Sequence, residues 1–164
     1  MSTTWYKENK GKKMSIIKSF RGLIADGAQE VIHLHTNDGS TGYKIVKFEL
    51  LFKNPGVAST ESIVKIYKTD QTGNIDGIID FSDNTLLAAG FLSGSTSATY
   101  PEDLTTIFDN EKFNQDIYVT HSEVAGSEAV NYYIELEQMS LALDENTGAT
   151  LKDIRNIAGR NDTA

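Results

Sequence analysis

The stretch from Gly42 to Gly56, "GYKIVKFELLFKNPG", decides the fold class. Val46, Phe48, Leu50 and Phe52 alternate with Lys47, Glu49 and Lys53, the period of two expected of a strand with one buried face. Asn54-Pro55-Gly56 then stops the strand, because proline cannot donate to a ladder and glycine accommodates the turn. The same rhythm recurs along the chain. In "ESIVKIYKTD", Val64 and Ile66 fall opposite Lys65 and Tyr67; "QDIYVTH" aligns Ile117, Val119 and His121. In "AVNYYIELEQMSLAL", Val130, Tyr132, Ile134 and Leu136 form one face, and after Glu137 the apolar series moves to Met139, Leu141 and Leu143. That change of parity predicts a β-bulge near Gln138.

Outward from these strands the chain is punctuated by Gly, Asn and Asp turns. Apolar runs around Ile78–Phe81 and Leu86–Leu92 flank Ser82-Asp83-Asn84. Gly94 to Thr99 has loop composition. "YPEDLTTIFDN" offers one helical turn, with Pro101 at its first position and Glu102 and Asp103 near its positive end. "TGATLKDIRNIAG" spaces Leu151, Ile154 and Ala158 as a helix would, between a Thr150 cap and Gly159. The expectation is an all-β protein, an antiparallel β-sandwich of seven or eight strands with jelly-roll connections. Its parts are a basic N-terminal arm over residues 1–23, the sandwich over 24–144, and a short helix and tail over 145–164.

The 164 residues suffice for one domain with a core. Having no cysteine excludes disulfides, zinc-thiolate sites and cysteine nucleophiles, and suits assembly in a reducing cytoplasm. No apolar run reaches the length of about 18 residues that a membrane-crossing helix needs, and no membrane partner is expected. The first twenty residues lack the apolar stretch of a signal peptide, and Met14 offers a second start.

Charge is unevenly spread over a net of −8. Through Leu23 the chain carries Lys7, Lys10, Lys12, Lys13, Lys18 and Arg21 against Glu8 alone, a balance of +5, which leaves −13 for the remainder. A cationic arm on an anionic body favours an acidic protein surface, such as the next copy of the same chain. Nucleic acid is not an expected partner, since the body repels phosphates and the arm lacks interleaved arginines and aromatics.

Chemical motifs are sparse. In "VIHLHTNDG", His33 and His35 sit two apart, and a third histidine, His121, would have to converge with them to hold a metal. Cupins use His-x-His followed closely by a glutamate. Here the next glutamate is Glu49, and "VTHSEVAG" lacks the Pro-x-Gly turn ahead of the last cupin histidine. The expectation is that His33 and His35 face outward while Ile32 and Leu34 face the core. "DQTGNIDG" fails the calcium-loop pattern at its glycine position and reads as a turn. No Gly-x-Ser-x-Gly elbow or phosphate-binding glycine loop occurs. Glu135 and Glu137 share one strand face, so they cannot flank a sugar from two sides. Tyr43, Tyr67, Tyr118 and Tyr133 fall on polar faces, where tyrosine favours protein contacts or a sugar platform.

The last third of the chain adds a resemblance. Tyr118-Val119-Thr120-His121, then Val130-Asn131-Tyr132-Tyr133-Ile134-Glu135-Leu136-Glu137, and the closing Ala149-Thr150-Leu151-Lys152-Asp153-Ile154-Arg155 resemble small virion structural proteins of marine tailed phages, notably cyanophages. The resemblance implies a non-enzymatic particle component, a capsid decoration protein or a tail accessory, located in the virion. Its expected partners are the major capsid protein, other virion subunits and further copies of itself, without a cofactor. The resemblance carries over no residue roles; the charge of the arm and the tyrosines on polar faces make Trp5, Tyr6, Lys7, Lys10, Lys12, Lys13, Lys18, Arg21, Tyr67 and Tyr133 the expected contact residues. A carbohydrate-binding adhesin and a cupin-like metalloprotein using His33, His35 and His121 are the rival expectations.

Overall fold

A computed structural model describes residues 15–56, 59–94, 102–108 and 110–142. Within them the chain is all-β, with no helix. The strands are β1 (Ile16–Ile24), β2 (Gln29–Ile32), β3 (Thr41–Phe52), β4 (Thr60–Tyr67), β5 (Leu86–Gly94), β6 (Glu102–Ile107), β7 (Ile117–Glu123) and β8 (Val130–Ser140). They form two antiparallel sheets, one in the order β1-β8-β3 and the other β2-β7-β4-β5-β6. The first four strands alternate between the sheets. One apolar core lies between the layers and takes Ile24, Phe48, Leu50, Ile134 and Leu136 from the first sheet and Val64, Ile66, Leu92, Ile117 and Val119 from the second.

The alternation read from the sequence is realised in β4, β7 and β8. Val64, Ile66, Ile117, Val119, Val130, Ile134 and Leu136 are all buried. The long strand β3 departs from its expected parity. Its register with β8 shifts between Ile45 and Lys47, so Val46 is an extra residue that turns outward while Ile45 and Tyr43 turn in. The expected bulge near Gln138 is therefore on the facing strand: β8 runs through Gln138 in unbroken register, opposite Tyr43. Strand β3 ends at Phe52, and Gly56 follows at φ 89°, a left-handed conformation that glycine adopts without steric cost.

Three other expectations change. Residues 102–107 are strand β6 on β5, with Leu104 opposite Phe91 and Thr106 opposite Ala89, and not a helical turn. The apolar run at Ile78–Phe81 is not a strand. It belongs to the loop between β4 and β5, which lies over the outer face of β4. Because of that cover β4 is buried on both faces, Lys65 and Tyr67 included. Residues 16–23, expected to be the root of an arm, are strand β1, paired with β8 from Ile16–Gln138 to Ile24–Val130. Trp5, Tyr6, Lys7, Lys10, Lys12 and Lys13, and the helix and tail expected over 145–164, lie outside the described residues.

At Gly90 the two sheets come close. A Cβ there would meet Leu50 Cδ1 at 2.8 Å and the Phe48 ring at 2.9 Å. Gly90→Val should therefore overpack the core and cost about 2 kcal/mol, as forced core insertions do. Urea unfolding checks this, and an unchanged midpoint would show that the layers have room to spare.

Candidate functional site

Strands β2 and β7 pair antiparallel, with Ile32 opposite Ile117. One step beyond that pair, the chain brings His33 level with Asp116. Ile32 and Leu34 are buried, as expected, and the two imidazoles point outward at 75% and 58% side-chain exposure. His33 Nδ1 lies 3.0 Å from Asp116 Oδ2, and His35 Nδ1 lies 2.7 Å from Oδ1. The backbone N–H groups of Leu34 and His35 also donate to Oδ1, at 2.8 and 3.0 Å. Four donors therefore converge on one carboxylate.

Burial pushes the Asp116 carboxyl up, but the backbone and ring donors of His35, the Leu34 N–H and His33 more than offset it and hold the carboxyl well below the usual carboxylate range. An ionised carboxylate only accepts, so each Nδ1 facing it carries a hydrogen. Among the described residues, His33, His35 and Asp116 are the one group of three such side chains whose donor atoms gather closely enough for a metal ion.

His121 is not part of this group. It sits near the other end of the β2–β7 pairing, where its N–H bonds the Ala28 carbonyl. Five residues of strand separate it from Asp116, roughly 16 Å at the usual rise. Its ring is fully buried, Nδ1 lies 3.1 Å from the Ile24 carbonyl, and Nε2 has no hydrogen-bond partner among the described residues. A cupin-like convergence of His33, His35 and His121 is thereby overturned. Asp116 was not singled out in the sequence, since "NQDIY" carries no motif. Only the register of two strands more than eighty residues apart reveals it.

The calcium-like segment is a turn, as expected. Asp70 accepts from the Thr72 N–H and hydroxyl at 2.7 and 2.6 Å. Asp76, Asp80 and Asp83 do the same for the backbone two residues on. Each carboxylate ties its own turn. Together these turns fold the loop that covers β4.

The second candidate surface is the outer face of the β1-β8-β3 sheet. Cross-strand register sets four rows: Ile17–Glu137–Lys44, Ser19–Glu135–Lys47, Arg21–Tyr133–Glu49 and Leu23–Asn131–Leu51. Lys44 meets Glu137 at 3.2 Å, and the Lys47 ammonium lies 5.7 Å from the centre of the Tyr133 ring. Tyr133 donates its hydroxyl to Glu135 at 2.8 Å. Ile17, Leu23 and Leu51 are exposed, Leu51 at 65%. A concavity of about 670 Å³ opens beside the third and fourth rows, lined by Arg21, Glu49, Leu51, Asp103, Asn131 and Tyr133.

Of the expected contact residues within the described chain, Arg21 and Tyr133 meet on this face. Lys18 lies at its edge, on the inward parity, with its ammonium 5.8 Å from the Tyr43 ring centre. Tyr67 is withdrawn from the surface: it packs with Leu86, Ala89, Phe108 and Tyr118, so its ring serves the fold and not a partner. Tyr43 is likewise buried, stacked on Phe113.

No protein-family model matches the chain, and no curated protein matches it.

Proposed function

We propose that the protein is a non-enzymatic structural component of a virus particle, a capsid decoration protein that joins neighbouring subunits through its open sheet face and its basic N-terminal segment. The observation that carries this reading is the outer face of the three-stranded sheet. Arginine and tyrosine, the residue types enriched where proteins mate, sit side by side there, on one face with exposed Leu23, Leu51 and Ile17 and the ion pairs Lys44–Glu137 and Lys47–Glu49. Such a face suits a protein that works by shape and repeated contact.

Charge asymmetry supports the arm. Lys7, Lys10, Lys12 and Lys13 lead a chain whose residues after Leu23 carry −13. A positive segment of one copy is drawn to the carboxylates of the next, among them Glu49, Glu135 and Glu137 on the open face. The partners are the major capsid protein, other virion subunits and further copies, and closed symmetry repeats each contact around the shell. The strand order 1-8-3 facing 2-7-4-5 supports a jelly roll, with β6 extending the second sheet.

Deleting residues 1–13 is the test. The truncated protein should fold as the full chain does, by circular dichroism and thermal melting, yet occupy purified particles at a clearly lower level. Equal occupancy would overturn the arm's role. A tail-accessory or adhesin role would instead show as occupancy confined to tails, or as binding on a glycan array at the Arg21–Tyr133 concavity.

A further inference from the structure

We infer that His33, His35 and Asp116 form a surface site for one divalent transition-metal ion of the zinc class, in addition to the assembly role. Three independent features of the chain converge on it. The donor set is two imidazoles and a carboxylate, the mixture that zinc, copper and nickel accept and that calcium and magnesium, which prefer oxygen, do not. The geometry is nearly formed, with the two Nδ1 atoms 3.0 and 2.7 Å from the carboxylate oxygens and all donors within 4.8 Å of one another. The carboxylate is also held in place: backbone N–H groups of Leu34 and His35 fix Oδ1, which leaves Oδ2 to face an ion.

The change needed for loading is small. Tetrahedral bonds of about 2.0–2.2 Å place donors roughly 3.3–3.5 Å apart, so His33 withdraws from Oδ2 by up to about half an ångström and His35 turns from Oδ1 toward the ion. At 75% and 58% exposure the rings have space to do so, and an ion arrives without opening the core. Each ring then presents its Nδ1 lone pair inward and carries its hydrogen on Nε2, toward water. With three protein donors, one coordination position remains outward, for water or for a side chain of a neighbouring subunit. The ion would clip the end of β2 to the start of β7, at the rim of the five-stranded sheet.

Calorimetric titration of the metal-free full chain with Zn²⁺ tests this. One equivalent should bind, with affinity reduced at least about tenfold in His33→Gln and about a hundredfold in the double variant with His35→Gln, the range over which site residues act. Ca²⁺ should not compete. Nitrogen-detected NMR of the imidazoles gives a second reading that does not rely on variants: Zn²⁺ should move the Nδ1 signals of His33 and His35 and leave those of His121 in place. Zinc affinity unchanged in the double variant, no stoichiometric binding to the wild type, or a response confined to His121 would each overturn the site.

Discussion

Asp116→Ala is expected to destabilise the protein by about 2 kcal/mol, a large effect for a side chain at the surface. Four donors converge on this carboxylate, and the Leu34 N–H is partly buried, so its loss leaves an amide with little access to water. Charge-assisted bonds are each worth about 1.5–3 kcal/mol, but solvent reaches the rings and the His35 N–H, so the sum falls well short of additive. The dependence on pH gives the sharper reading. The folded carboxyl lies below the ordinary range, while the unfolded one titrates near 3.9. Its contribution is therefore present above about pH 4 and is lost as pH falls from there toward the folded value. Asp116→Asn removes the titration. The stability gap between it and the wild type should be widest above about pH 5 and should begin to narrow below about pH 4, as urea unfolding from pH 7 to pH 3 would show. A gap that stays constant across that range would mean that the carboxylate is not held as described.

Lys65 carries the second large expectation. It occupies the centre of β4 at 2% exposure, with its ammonium 2.9 Å from Asp76 Oδ1 and 2.6 Å from the Ile78 carbonyl. Its head also lies 5.6 Å from the centre of the Tyr67 ring, so the covering loop closes over a lysine stem. Lys65→Ala deletes that stem and should cost about 3 kcal/mol, as other buried truncations do. Lys65→Met keeps most of the volume and should stay within about 1 kcal/mol of wild type, because a buried ion pair seldom stabilises more than a well-packed apolar replacement. Asp76→Ala should fall between them, near 1–2 kcal/mol: the hydrogen bond from Lys65 holds the Asp76 carboxyl below its ordinary value, but that carboxylate is 55% exposed, so water reaches the stranded ammonium. Thermal melting of the three variants would check the order. A Lys65→Met variant as damaged as Lys65→Ala would show that the charge, and not the packing of the stem, holds the loop.

Much of the architecture was legible from alternation alone. Val64 and Ile66, Ile117 and Val119, and Ile134 and Leu136 occupy the buried faces that a period of two assigns them. The failures have physical causes. In β3, Ile45 and Val46 are both apolar and β-branched, so either could begin the inward series, and the sequence does not show which one bulges out. The Pro101-Glu102-Asp103 stretch favours a helix start in the sequence, but one helical turn has little stability of its own, and pairing of every residue of β6 with β5, from Glu102–Ser93 to Ile107–Ala88, outweighs it. Lys65 and Tyr67 read as a solvent face because alternation says nothing about a loop that later folds across the strand. The histidine pair was visible and its outward direction correct, whereas its partner Asp116 became visible only through the β2–β7 register. The same register separates His121 from the pair.

Quantitative mass spectrometry of gradient-purified particles tests the assembly role most directly. The predicted result is this chain present at a fixed, high copy number relative to the major shell protein, in a ratio compatible with the shell's symmetry. Particles that contain the remaining structural proteins in full and lack this chain would contradict it.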